Sequence, residues 1–104
     1  MNQRVMVGES DVERANRIVQ RLHRMLQGIE RAQRNPNRRE AYHLGVAIEH
    51  AYAGEFAESE QAIRSAERVD PIPAEIATQP GLNQPPTVTQ LRAALDQVAR
   101  DKAP

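Results

Sequence analysis

Apolar residues recur at intervals of three and four along most of this 104-residue chain, and the recurrence is interrupted at a few prolines and one glycine. Between Ser10 and Arg34, the side chains Val12, Ala15, Ile18, Val19, Leu22, Met25, Leu26 and Ile29 share one wide helical face, the pattern of a helix packed in a bundle. Ser10 and Glu13 form an S-x-x-E capping box at its start, and Asn35-Pro36 stops it. The pattern predicts a helix over 10–34, roughly 37 Å long at 1.5 Å per residue. A second stripe, Ala41, Leu44, Ile48 and Ala51, predicts a helix over 38–53, with Asn37 and Glu40 repeating the capping logic. A third, Phe56, Ala62, Ile63, Ala66 and Val69, predicts one over 55–69 that ends at Asp70-Pro71. Gly54 can take the left-handed conformation that reverses the chain between them.

Residues 71–86 carry five of the seven prolines and no amphipathic period, which predicts a connection laid over the bundle, with one helical turn after Pro73. Ile72, Ile76 and Leu82 are spaced through it. Thr87 and Gln90 make another capping box, and Val88, Leu91, Leu95 and Val98 give the last helix, over 87–101, its apolar seam. Residues 1–9 are expected to be a loose tail. The expectation is one all-α domain spanning 1–104: four helices built round a hairpin, a long N-terminal helix, and a proline-rich connection before the last helix.

The hairpin from Arg39 to Pro71 resembles a single tetratricopeptide repeat. Gly54, Phe56, Ser59, Ile63, Ala66 and Pro71 fall at that family's intervals, and Leu44-Gly45 matches its Leu-Gly pair. Ser59 stands where the family has alanine, and the interval from Gly45 to Gly54 is two residues longer than the family's. The resemblance implies a helical hairpin of the kind used to grip peptides, and hence a protein-interaction or scaffold module.

Composition narrows the choice of function. The chain has no cysteine, which excludes disulfide and thiol chemistry and is compatible with a reducing cytoplasm. No apolar run approaches the roughly 20 residues a membrane helix needs, so no membrane partner is expected. The glycines are scattered and form no phosphate-cradling loop, and no H-x-x-x-H or H-E-x-x-H spacing exists for zinc. His43 and His50 lie seven apart on a face opposite Leu44 and Ile48, and like His23 are expected on the solvated surface. With no catalytic residue, metal ligand or cofactor motif to be found, the chain is not expected to be an enzyme.

Net charge is zero but unevenly spread. Up to residue 39 the basic residues Arg4, Arg14, Arg17, Arg21, Arg24, Arg31, Arg34, Arg38 and Arg39 face only Glu9, Asp11, Glu13 and Glu30. Such asymmetry either steers the two parts of the chain onto each other or leaves a basic face for an acidic partner. Arg21, Arg24 and Arg31 have no acid to pair with on their own helix, which makes them the candidate partner-binding residues for an acidic protein or, as the alternative, for nucleic acid. A neutral net charge and 3% aromatic content favour protein over nucleic acid. Finally, a first helix about 15 Å longer than the hairpin would leave an apolar overhang. Val12, Val19, Leu22, Leu26 and Ile29 are therefore expected to bury it in a homodimer through antiparallel first helices.

Overall fold

Every regular element in the computed structural model, which describes residues 10–79 and 84–104, is a helix. In chain order these are α1 (Asp11–Arg31), α2 (Arg38–Tyr52), α3 (Phe56–Arg68), the single turn α4 (Ala74–Ala77) and α5 (Val88–Lys102). The expectations for residues 1–9 and for Leu82 lie outside the described residues. Among the described residues, no helix is long and apolar enough to cross a membrane.

The local signals act where they were read. The Ser10 and Thr87 hydroxyls each accept a hydrogen bond from the backbone N–H three residues on, and the Glu13 and Gln90 side-chain oxygens accept in turn from the Ser10 and Thr87 backbone N–H. Gly54 sits at φ 81°, and the Glu55 N–H closes α2 by donating to the His50 carbonyl at 2.8 Å. The second cap differs. Asn37 Oδ1 accepts from the Glu40 N–H, but the Glu40 carboxylate turns away to the Arg34 guanidinium, at 2.8 and 3.1 Å.

The packing order follows from the stripes. α2 and α3 form the hairpin, α5 lies against both α1 and α2, and α1 also packs on α3. Ion pairs fix the directions. Arg14 and Arg17 reach Glu60 while Arg21 reaches Glu67, so α1 and α3 run the same way; Arg92 near the start of α5 reaches Glu30 near the end of α1, so these two run oppositely. The core is shared by Ile18, Leu22, Leu26 and Ile29 of α1, Leu44 and Ile48 of α2, Phe56 and Ile63 of α3, and Leu91, Leu95 and Val98 of α5.

The expected end and length of α1 are corrected. It ends at Arg31, because Gln33 takes φ 51° and the Gln33 and Arg34 N–H groups donate back to Glu30 and Ile29, closing the helix before Asn35-Pro36 is reached. At 21 residues it is roughly 31 Å long instead of 37. Of the residues expected to self-associate, Leu22, Leu26 and Ile29 are at most 2% exposed, Val19 is half-buried against the core, and Val12 is 48% exposed. Within one chain the inner part of this stripe, Leu22, Leu26 and Ile29, is covered, with α5 the main neighbour of α1.

The connection after α3 is fastened at α4, where the Arg38 guanidinium donates to the Ala77 carbonyl at 2.7 Å. Ile72 and Ile76 are half-buried and stand outside the core cluster.

Candidate functional site: the outer groove of the hairpin

α2 and α3 approach closely because the residues between them are small: Ala47, Ala51, Ser59, Ala62 and Ala66 are all buried. Ser59, where the tetratricopeptide pattern has alanine, is fully buried and donates its hydroxyl to the Ala47 carbonyl at 2.7 Å, which ties the two helices across the seam. Away from the core, the faces of these helices that carry Tyr42, Val46 and His50 on α2 and Glu58, Gln61 and Ser65 on α3 diverge. Asp70, Pro71 and Pro73 wall one end, and the result is an open groove of about 380 Å³.

His43 is the element of this groove that the sequence misplaced. It is 7% exposed, because the segment after α3 folds back over the face of α2 that periodicity assigned to solvent. Its Nε2 lies 2.9 Å from the Asp70 carbonyl oxygen. A carbonyl only accepts, so Nε2 bears the proton and donates. The Tyr42 ring stands edge-on to the His43 imidazole, 5.1 Å between centroids.

The carbonyl that His43 meets is aimed by an unusual backbone. Val69 ends α3 at φ 53°, ψ 49°, a left-handed conformation that a β-branched residue rarely takes, while the Asp70 N–H donates to the Ser65 carbonyl at 3.0 Å. The Arg68 guanidinium, at 2.8 Å, holds the Asp70 carboxyl below its ordinary pKa. His50, also expected to be solvated, is partly exposed and donates from Nδ1 to Glu55 at 2.9 Å. His23 is exposed and its Nδ1 accepts from Arg92, which fixes its tautomer. Among the described residues, no three His, Asp or Glu side chains converge as a metal cluster would require.

The arginine stripe is dispersed by the fold. Arg21 is engaged by Glu67 at 2.6 Å, a partner on α3 that no inspection of α1 alone reveals. Arg14 and Arg17 converge on Glu60, whose carboxyl burial pushes up but whose two guanidinium partners hold below its ordinary value. Arg24 and Arg31 stay exposed, with no acidic partner among the described residues. Part of the charge asymmetry, Arg14, Arg17 and Arg21, thus serves to dock α1 onto α3.

The groove was nonetheless readable in part. Tyr42, Val46 and His50 stand at i, i+4, i+8, and Glu58, Gln61 and Ser65 at i, i+3, i+7, so each set forms a stripe on its own helix. What was missing was the fold-back of Asp70 to Pro73. No protein-family model matches the chain, and neither a curated protein nor a solved structure matches it significantly.

Proposed function

We propose that this protein is a small non-catalytic interaction or scaffold module of the cytoplasm, with a tetratricopeptide-like hairpin whose outer groove grips a short extended peptide. The observation that carries this reading is the groove's construction: a nearly buried His43 locked to a carbonyl, an apolar floor at Val46 and Ala62, and hydrogen-bonding side chains along both rims. From Tyr42 to His50 the groove rises about 12 Å along α2, room for about four residues of extended chain. Tyr42, Gln61 and Ser65 can pair with main-chain groups of such a segment, while the Pro71 and Pro73 rings offer a rigid apolar wall. The absence of cofactor motifs and the engagement of all three histidines in hydrogen bonds favour recognition over chemistry.

Selection from a displayed library of short peptides, followed by amide shift mapping, tests the proposal. Binders should perturb residues 42–50 and 58–65, and Gln61→Arg, an exposed change that fills the groove, should abolish binding while leaving the helical spectrum intact. Selected peptides that ignore this change would sink the groove as the site.

Arg24 and Arg31 support a second, lesser reading, contact with nucleic acid phosphate, because they remain exposed and unpaired among the described residues. Two such contacts would give a log–log salt slope of about −1.8 on duplex DNA. A fluorescent duplex and a single strand titrated at two salt concentrations, against the double change Arg24→Ala with Arg31→Ala, decide this reading; no binding at low salt removes it.

A further inference from the structure

On its other flank α2 runs beside α5, and the two helices point the same way: Gly45, midway along α2, faces Pro86 just ahead of α5, and Lys102 Nζ lies 6.0 Å from the centroid of the Tyr52 ring at their ends. Two hollows, of about 380 and 190 Å³, lie along this junction and share Ile48, Glu49 and Ala94, so they form one continuous channel. Its surface is mostly carbon, floored by Ile48, Leu91 and Ala94. Tyr52 at one end is 51% exposed, one of two large hydrophobic residues so exposed among those described. Glu49 is the one charged side chain lining the channel, and no ion pair engages it among the described residues.

We propose that this channel docks an amphipathic helix of a partner protein that carries a basic residue beside its apolar stripe. The dimensions fit: the seven steps from Gly45 to Tyr52 rise about 10.5 Å, two turns of helix, which is the span of apolar anchors at i, i+4 and i+7. Glu49 specifies the charge. An apolar helix laid over it would strand a carboxylate away from water, whereas a lysine or arginine on the incoming helix answers it. The same residue argues against a second copy of this chain, since a two-fold contact centred here sets Glu49 against its own image, and the nearest basic side chain, Lys102, is held over the Tyr52 ring at the channel's end. Direction follows from the helix dipoles. α2 and α5 both end near Tyr52 and present their negative carbonyl ends there, so the partner enters with its N-terminus at Tyr52, antiparallel to both. The site is separate from the hairpin groove, and with it the module would hold two different chains on opposite flanks of α2.

A stapled helical peptide with leucines at i, i+4 and i+7 and a lysine beside the middle leucine is the probe, with a lysine-to-glutamate version as its control, each titrated calorimetrically into the full chain. The lysine peptide is expected to bind at least about tenfold more tightly, the preference to reverse in Glu49→Lys, and both peptides to fail against Ala94→Arg, an exposed change that fills the channel without touching the core. Gln61→Arg in the other groove should leave the lysine peptide's affinity unchanged. Equal affinity for the two peptides, binding that survives Ala94→Arg, or no binding of either would overturn the proposal. So would a sedimentation mass of twice 11.7 kDa that collapses on Ala94→Arg, because it would assign the channel to a second copy.

Discussion

Val69 holds a left-handed backbone, φ 53°, that costs an L-residue about 1–2 kcal/mol. Its side chain is only half-buried and is absent from the group packed on the core, so little packing offsets that cost. Val69→Gly is accordingly expected to raise stability by about 1 kcal/mol in urea unfolding, less the entropy a glycine adds to the unfolded chain. A loss of stability would mean that the valine side chain contributes more packing than its exposure indicates. A glycine there would also loosen the aim of the Asp70 carbonyl at His43. Single residues were legible in the sequence where their partners are close. Ser10 with Glu13, Thr87 with Gln90, and Gly54 act within one turn, and each behaves as its type dictates. His43 was not legible, because its partner stands 27 residues away and is a main-chain oxygen, which leaves no trace in residue type.

At the scale of the elements, the contact between α1 and α3 is chiefly electrostatic on its outer side, and this makes it sensitive to acid. Glu60 sits between Arg14 and Arg17, with 20% of its side chain exposed, and its pKa lies below the ordinary 4.5. A carboxyl whose folded pKa is depressed binds fewer protons in the folded state than in the unfolded one. Its stabilisation is therefore complete above the unfolded value and disappears as pH falls through the folded value. Stability should be level from neutrality to about pH 5 and then decline. Glu60→Gln should cost about 1 kcal/mol at neutral pH, a figure kept small because Arg17 is more than half exposed, and should flatten part of the decline. Urea unfolding of both proteins between pH 3 and 7 gives the comparison; parallel curves would show that Glu60 adds nothing. The extent of the elements was legible to within a residue or two where a cap sits at the boundary. It failed by three residues at the end of α1, where Gln33 in a left-handed conformation and the Arg34–Glu40 pair stop the helix ahead of the proline.

For the whole molecule, the sequence showed which faces are apolar but not which face covers which. The seam of Leu22, Leu26 and Ile29 reads equally well as a surface for a second copy or for another helix of the same chain, since apolar burial is non-directional. The chain answers with α5, which buries Leu91, Leu95 and Val98 against α1 and α2. At roughly 1.5–3 kcal/mol for each side chain, α5 contributes on the order of 5–9 kcal/mol, comparable to the roughly 5–15 kcal/mol that holds a whole domain of this size. The alanine-rich seam between α2 and α3 has little surplus to make up such a loss. A chain ending at Gln84 should therefore lose its cooperative thermal transition, or else bury the uncovered α1 stripe by self-association. A peptide spanning 84–104, added in excess, should restore both the transition and the single-copy mass. Circular dichroism and sedimentation velocity on the truncated chain, with and without the peptide, measure this. A truncated chain that melts cooperatively as a single copy would show that α5 is a passenger on a three-helix core, and that the seam of α1 is covered by α3 alone.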